Sequence, residues 1–297
     1  MTRTARAFVI VLVAATVAGC TTVGDGKVAD DWPVFAEAKL PIPAAGTCSQ
    51  VTVTDPATVT GTDFTKVGSC DESHESELVH VGTYEGPDAD RADPPPAGGD
   101  AERRAFADCT TKANEFLGDD WKIARVALRL ASPPARHWQA GGRYYRCELI
   151  SVGSETWDIV ARTGSLKDGL RSSRPAAITC VNLVNPTPDG FDDMTAADCA
   201  QPHDAEFVGV FRAPEGAYPN EDQLDTIYEG GCIGLIATYL GISRSALLRL
   251  AFAYLYWFPT RETWTIGDRG GTCYVGGPDD KKLRASVKGW GARALPV

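Results

Sequence analysis

The sequence lacks an excess of basic residues and lacks a hydrophobic run long enough to form a membrane-spanning helix, which takes roughly 20 residues. Its 29 Lys and Arg residues are outnumbered by 39 Asp and Glu residues, which gives a net charge of -10. Nucleic-acid-binding domains are typically basic, so we expect no nucleic-acid partner. With 43% hydrophobic and 23% charged residues, the composition is that of a folded globular protein. A length of 297 residues predicts about two domains.

Common hydrolase motifs are also missing. The chain contains neither G-x-S-x-G nor S-x-x-K, the arrangements that mark many nucleophilic serines. Its few histidines lie at positions 74, 80, 137 and 203, so a Ser-His-Asp triad would have to use His74 or His203. Each of these follows a cysteine by four residues, but neither has a second ligand pair nearby, as a zinc site would require. We therefore expect no catalytic residue, no metal and no cofactor.

The amino terminus has the pattern of a secretory signal. Arg3 and Arg6 precede an apolar run at residues 8–18, which ends in Val17-Ala18-Gly19-Cys20. This string resembles the bacterial lipobox, and it predicts a signal peptide over 1–19 and lipidation of Cys20. A plain secretory signal is the alternative. Residues 20–46 then form a flexible tether, and the protein lies on the extracytoplasmic face of the membrane, held by its lipid anchor.

The remaining cysteines form two sets of four in matching contexts, and an even number in an exported protein indicates disulfides. Cys70 and Cys199 each begin the motif C-x3-H-x2-E-x-V-x-V, and Trp-x2-Gly-x-Arg-x3-Cys ends at both Cys147 and Cys273. These matches predict a tandem duplication, with the first half at 47–170 and the second half at 171–297. Connectivity is not fixed by sequence, but the expected geometry within each half favours four pairs. Cys48 with Cys70 and Cys180 with Cys199 would join neighbouring strands, and Cys109 with Cys147 and Cys232 with Cys273 would join the helix to the closing strand.

Each half is predicted to fold as strand, strand, helix, strand, strand. Short alternating runs at 49–53, 77–81, 178–184 and 206–211 indicate strands, as do the runs near 126–130, 143–150, 252–258 and 271–275. Asp100 and Asn220 are candidate helix N-caps, and Gly118 and Gly241 lie where a C-cap favours glycine. The fold class is therefore α+β, a small antiparallel sheet with one helix per half. Residues 84–100 are predicted to form an exposed loop.

Two glutamates are predicted to be buried, because Glu77 and Glu206 each alternate in phase with strand valines. A buried charge needs a partner. We predict that Glu77 pairs with Arg143 and Glu206 with Arg269, each guanidinium stacking on the nearby Trp138 or Trp264. With His74 and His203, these residues are predicted to be structural polar groups, and ligand binding is the alternative role.

The motifs of the second half resemble those of the septum formation family of actinobacterial envelope proteins. The matching strings are Cys199-x3-His203-Asp204-Ala205-Glu206, Tyr218-Pro219-Asn220-Glu221-Asp222, Cys232, Pro259-Thr260-x-Glu262-x-Trp264-x2-Gly267-Asp268-Arg269 and Cys273. The first half matches more loosely, with Glu75 in place of Asp204 and Gly142 in place of Asp268. The resemblance implies a part in septum formation and brings no catalytic residue or cofactor.

Two classes of function follow from these observations. The first is a lipid-anchored, non-enzymatic protein that binds a protein partner or a cell-wall component at the septum, through the cleft between the halves or the aromatic residues at 254–258. The second is a cell-wall hydrolase or a metal-dependent envelope enzyme. An enzyme would bring His203 and Glu206 into a deep pocket beside a nucleophile or metal, whereas a binding protein would bury them against its own framework.

Overall fold

The structure is a computed structural model that describes residues 42, 44–50, 67–153, 158–187 and 190–297. The chain divides into two compact units, Met1–Lys39 and Leu40–Val297, and the described residues all belong to the second. The predicted signal peptide, Cys20, most of the tether and the end of the strand expected at 49–53 lie outside the described residues. Within the described ranges, none of the helices has the length and apolar character needed to cross a membrane.

The first sheet has the strand order β2-β1-β3-β5-β4, and all its pairings are antiparallel. The long helix α1 packs on one face of this sheet. The short helix α2 is part of the connection from β4 to β5. The bounds are β1 Thr47–Ser49, β2 Val67–Gly68, β3 Ser76–Thr83, α1 Asp100–Leu117, β4 Val126–Ala131, α2 Ala135–Gln139 and β5 Tyr144–Ser151.

The second sheet repeats this arrangement, with the order β7-β6-β8-β10-β9 and the long helix α3 on one face. The bounds are β6 Cys180–Val184, β7 Asp193–Ala197, β8 Ala205–Arg212, α3 Glu221–Leu240, α4 Arg244–Leu247, β9 Ala253–Trp257, α5 Arg261–Thr265 and β10 Gly270–Gly276. The mixed α+β class with antiparallel sheets is confirmed. The expected number of strands was too low, because β2 is only two residues long and β7 is not rich in β-formers.

The four disulfides have the pairing that the sequence favours: Cys48–Cys70, Cys109–Cys147, Cys180–Cys199 and Cys232–Cys273. In each half one disulfide lies beside the first strand. The other joins the long helix to the strand that comes last in the chain, β5 in the first half and β10 in the second. The two helix-to-strand disulfides are fully buried, and they fix each helix onto the apolar face of its sheet.

The ends of the long helices follow their local sequence closely. Asn220 and Gln223 form a reciprocal capping box at the start of α3. The prediction for α1 was wrong by one residue, since its N-cap is Gly99 and Asp100 is the first helical residue. Gly118 and Gly241 end the helices with φ of 93° and 74°, a left-handed conformation that favours glycine.

The segment at 84–100 is a largely exposed loop, as predicted, and a few of its residues anchor it to the fold. It contains a 3-10 helix at Gly86–Asp88, and Pro95 is buried. Its carbonyl groups at Ala89 and Arg91 accept hydrogen bonds from the side chains of Arg143 and Trp138. The segment therefore packs onto α2 and the start of β5.

The two halves meet at the face of the second sheet that is turned away from α3, here called the outer face. Adjacent glycines of β10 show the two directions: a Cβ on Gly271 would meet Tyr228 of α3, whereas a Cβ on Gly270 would meet the side chain of Lys122 in the first half. Lys122 forms a buried ion pair with Asp268 at 2.5 Å. A second pair across the junction joins Arg212 to Asp120 at 2.8 Å.

Candidate functional site

Glu206 lies at the most completely hydrogen-bonded polar site described in the second half, and it is fully buried. Its Oε1 accepts from the backbone N–H of Val287 at 2.7 Å and contacts His203 Nε2 at 3.1 Å. Its Oε2 accepts from the hydroxyls of Tyr239 at 2.7 Å and Ser286 at 2.9 Å. One carboxylate thus holds together β8, α3 and the segment that follows β10.

The protons at this site follow from its contacts. His203 Nδ1 lies 2.7 Å from the carbonyl oxygen of Gln201, which can only accept, so this nitrogen is the donor. Burial, together with the hydrogen bond to the Glu206 carboxylate, raises the pKa of Tyr239, so its hydroxyl remains a donor throughout the physiological range.

Glu77 occupies the matching position in the first half with fewer partners. Its Oε1 accepts from the hydroxyl of Ser165 at 2.6 Å and its Oε2 from the backbone N–H of Leu166 at 2.7 Å. His74 Nδ1 contacts the carbonyl of Glu72 at 2.8 Å, but its buried Nε2 has no hydrogen-bond partner among the described residues. Phe116 takes the place of Tyr239 and has no hydroxyl to offer.

In each half, the buried glutamate binds a segment of chain that follows the last strand of that half, β5 or β10. We call these segments the first strap, 162–170, and the second strap, 283–291. Each strap pairs through its first residue with the backbone of His74 or His203. Each then donates backbone hydrogen bonds to Phe116 and Leu117 of α1 or to Tyr239 and Leu240 of α3. The glutamates are therefore the points at which the straps attach to the sheets.

The predicted Glu–Arg pairs are wrong. Arg143 donates to the carbonyls of Ala89 at 2.5 Å and Trp138 at 2.6 Å, and Arg269 donates to the carbonyl of Trp264 at 2.6 Å and to Glu215 at 3.1 Å. The two tryptophans lie in the short helices α2 and α5, whose last carbonyls have no partner within the helix. Each arginine binds those carbonyls and so needs no buried carboxylate.

The predicted stacking of arginine on tryptophan is confirmed. Arg143 lies 4.1 Å from the centre of the Trp138 ring, and Arg269 lies 4.1 Å from that of Trp264. Each indole N–H donates at 2.9 Å to a carbonyl of the preceding loop, Arg91 or Gly216. Both stacks therefore fasten a loop to a short helix.

Two groups of side chains have the spacing of metal ligands: Cys48, Cys70 and Glu77 in the first half, and Cys180, His203 and Glu206 in the second. All three cysteines are in disulfides, so their sulfurs are not the thiolates that bind zinc. The carboxylate oxygens of Glu206 already accept hydrogen bonds from the protein. The donor sets therefore fit a structural framework better than a metal centre.

A cleft of about 120 Å³ lies at the junction of the halves. Its walls come from the start of β4, from β6 and β7, from the end of β9 and from the start of β10. Apolar wall residues include Val126, Leu128, Val181, Met194 and Trp257, and the Lys122–Asp268 pair lies beside them. Thr272 also lines this cleft, and its buried hydroxyl oxygen has no hydrogen-bond partner within the described part of the chain.

The aromatic residues at 254–258 divide between two faces of β9. Tyr254 and Tyr256 stack with ring centres 6.3 Å apart and donate to Glu229 and Asp225 of α3. Trp257 points to the outer face, where it packs against Phe191 and Tyr274. Trp257 lines the cleft, as does Phe258, whose ring packs against Tyr256.

Sequence reasoning singled out the cleft as a region but missed the residues that build it. Lys122, Met194 and Thr272 belong to no motif, and Asp268 stands out only within the family string. The alternation of Thr272 with Tyr274 along β10 was the one available signal, since it indicates that both side chains share a face.

Comparison with known proteins identifies a family. The sequence model of the family described as Septum formation matches residues 45–273, a range that contains both long helices and runs from before β1 into the middle of β10. Neither the curated proteins nor the solved structures contain a match to the chain.

Proposed function

Because the chain belongs to the septum formation family, we propose that it is a lipid-anchored binding protein that acts in septum formation on the extracytoplasmic side of an actinobacterial membrane. Four disulfides support an oxidising compartment. The string Val17-Ala18-Gly19-Cys20 supports cleavage after residue 19 and acylation of Cys20. Residues 20–46 would then act as the tether between lipid and folded protein.

We further propose that the two halves, 47–170 and 171–297, arose by tandem duplication. They share a strand order, the placement of both disulfides, the Trp–Arg stack and the glutamate that fixes a strap. Agreement at contacts between residues more than 80 positions apart supports descent from one unit better than a shared local motif does.

One observation carries the choice of binding over catalysis. The histidine and glutamate that an enzyme would need are buried in the second half and hydrogen-bonded to the strap. The cleft, in contrast, has walls that are mostly apolar. A cleft with these properties is the default place for a ligand.

The proposal can be tested in cells from which the chain has been depleted. We expect misplaced or missing septa, rescue by the wild-type gene, and failure of rescue by Cys20→Ala. Mass spectrometry of the amino-terminal peptide should show acyl groups on Cys20. Normal septation without the chain, or full rescue by a Cys20→Ala protein that carries no lipid, would contradict the proposal.

The enzymatic alternative has its own assay. The full chain, purified from membranes in detergent, should release no fragments from isolated peptidoglycan. Release that disappears in a folded His203→Ala variant would establish a hydrolase instead. A folded state is verified by intact disulfides and an unchanged circular dichroism spectrum.

A further inference from the structure

We propose that β9, the strand at one edge of the second sheet, pairs with β9 of a second copy of this chain, so that the two sheets join in antiparallel fashion around a two-fold axis at Leu255. The surface involved is the backbone edge of Ala253–Trp257 together with the side chains along it. The inference goes beyond the proposed function, and it assigns no role to the cleft or to the two glutamates.

The backbone of β9 is paired on one side. In the strand order β7-β6-β8-β10-β9 it comes last, and it pairs with β10. In an antiparallel pair every second residue exchanges hydrogen bonds with the partner strand, so the residues between them point their N–H and C=O groups away from β10. Within the described part of the chain, no further backbone hydrogen bond is made to these groups. All residues of β9 are half-exposed.

The other three edges of the described sheets are protected, whereas that of β9 is not. β2 has only two residues, β7 carries Asp193, and every residue of β4 is buried. Natural edge strands avoid pairing by such means, or by a proline or a bulge within the strand. The run at 252–258, Phe-Ala-Tyr-Leu-Tyr-Trp-Phe, contains no charged residue, proline or glycine. An edge of this kind favours the addition of a further strand.

The side chains of this run that point toward α3 match those of a second copy. Phe252, Tyr254, Tyr256 and Phe258 form a row along the strand, with neighbouring ring centres 6.0 to 6.4 Å apart. In an antiparallel pair centred on Leu255, Tyr254 of one copy lies opposite Tyr256 of the other, and Phe252 lies opposite Phe258. Cross-strand aromatic pairs stabilise a sheet. The two rows would therefore continue into each other.

On the outer face the same register avoids crowding and repulsion. Leu255 meets Leu255 of the second copy on the two-fold axis, and the small side chain of Ala253 lies opposite the large one of Trp257. None of these side chains is charged, so no like charges face each other. An interface between two copies around a two-fold axis must be complementary to itself. The run at 252–258 meets this requirement, which favours a second copy over an unrelated extended segment.

A single cysteine tests this register. Opposite residues on antiparallel strands have Cα atoms about 4.5 to 5.5 Å apart, which a disulfide can span. Under mild oxidation of the purified full chain, Leu255→Cys should give a disulfide-linked dimer on a non-reducing gel. Ala253→Cys should not, because residue 253 of the second copy lies about 13 Å away along its strand. Thr195→Cys, at an exposed residue of the edge strand β7, is the control and should stay monomeric on the gel.

Two leucine-to-lysine variants measure how much the edge contributes. Leu255→Lys places two like charges on the two-fold axis and should weaken dimerisation roughly 10-fold or more. Leu248 is 79% exposed and lies outside β9, so Leu248→Lys is the matched control and should dimerise as the wild type does. Sedimentation equilibrium of the full chain gives the dissociation constants. An unchanged circular dichroism spectrum and intact disulfides verify that each variant is folded.

Four outcomes would overturn the inference. The first is a wild-type chain that sediments as a monomer at every concentration tested. The second is linkage of Ala253→Cys or Thr195→Cys as efficient as that of Leu255→Cys. The third is equal dimerisation of Leu255→Lys and the wild type. The fourth is linkage of Leu255→Cys in cells to a different protein in place of a second copy, which would identify β9 as the site of another partner. None of these measurements depends on septation.

Discussion

The two strap glutamates show what the halves share and what they do not. Glu77 and Glu206 both accept from a strap serine and from the next backbone N–H. Only Glu206 is also in contact with His203 and Tyr239. The shared pair of contacts defines the framework of the fold. The additional pair makes the strap of the second half the more tightly held of the two.

The two sheets differ even more in the residues on the face that is turned away from the long helix. On the first sheet, Glu148 contacts Arg146 at 2.5 Å and Arg129 at 3.6 Å, and all three side chains are buried. By strand register, Tyr274 and Leu255 of the second sheet correspond to Glu148 and Arg129. An ionic face and an aromatic face have thus been built on one framework, and the cleft lies on the aromatic one.

The disulfides test whether the shared framework is equally stable in both halves. Cys109–Cys147 and Cys232–Cys273 close loops of similar length, with sequence separations of 38 and 41. Replacing either pair by alanines should reduce the free energy of unfolding by about 4 kcal/mol. Urea unfolding of the full chain measures this. A difference of more than about 1.5 kcal/mol between the two would show that the halves do not rely on these bonds alike.

The glutamates should show the asymmetry directly. Glu206→Ala leaves four groups without their contact to this carboxylate, of which His203 and the Val287 amide are buried, and should cost about 3 kcal/mol, whereas Glu77→Ala should cost about 2 kcal/mol. Hydrogen exchange at the amides of Val287 and Leu166 reports on each strap separately. Glu215→Ala, at an exposed carboxylate, is the control. An equal or larger loss from Glu77→Ala would contradict the comparison.

For the Trp–Arg stacks the order of stabilities should be reversed, with the stack of the first half contributing more than that of the second. Arg143 uses both Nε and Nη1 as donors to carbonyls, but the Nε of Arg269 is buried with no partner in the described ranges. Lysine cannot reproduce a stacked, forked donor. We therefore expect Arg143→Lys to lower the free energy of unfolding by about 2 kcal/mol and Arg269→Lys by about 1 kcal/mol. Unchanged thermal melting of both variants would show that neither stack contributes.

The smallest expected effect belongs to a single hydroxyl. Tyr239→Phe makes the second site resemble the first and should cost about 1 kcal/mol. The reverse change, Phe116→Tyr, should stabilise the first half by up to about 1 kcal/mol, since Glu77 has room for another donor. Faster exchange of the Val287 amide in Tyr239→Phe checks the first effect. If Tyr239→Phe is neutral, the hydroxyl does not distinguish the straps.

Local features of the fold were predictable because their physical cause lies within a few residues. The capping box of Asn220 and the left-handed glycines at 118 and 241 depend only on the helix end itself. The repeated motifs limit the disulfides to pairs within each half, and the expected contacts between neighbouring strands and between helix and closing strand favour one of the three pairings that remain in each. The weak strand β7 has no such local signal.

The polar partners could not be predicted, because they join distant parts of the chain. Glu206 meets Ser286 across 80 positions, and no periodicity indicates such a contact. A buried guanidinium is expected to need an opposite charge, and this expectation fails for Arg143 and Arg269. The carbonyls at the ends of the short helices α2 and α5 accept hydrogen bonds from these arginines instead. No sequence pattern indicates those helices.

The central claim is that the chain acts through the cleft between its halves and that the strap glutamates serve only its framework. The most direct test is rescue of septation in cells depleted of the chain, by two variants of β7 at equal protein levels. Ala196→Phe changes an exposed residue that lines the cleft, and Thr195→Phe changes its exposed neighbour and is the control. The account predicts that Thr195→Phe restores normal septa and that Ala196→Phe does not. Full rescue by Ala196→Phe would contradict it.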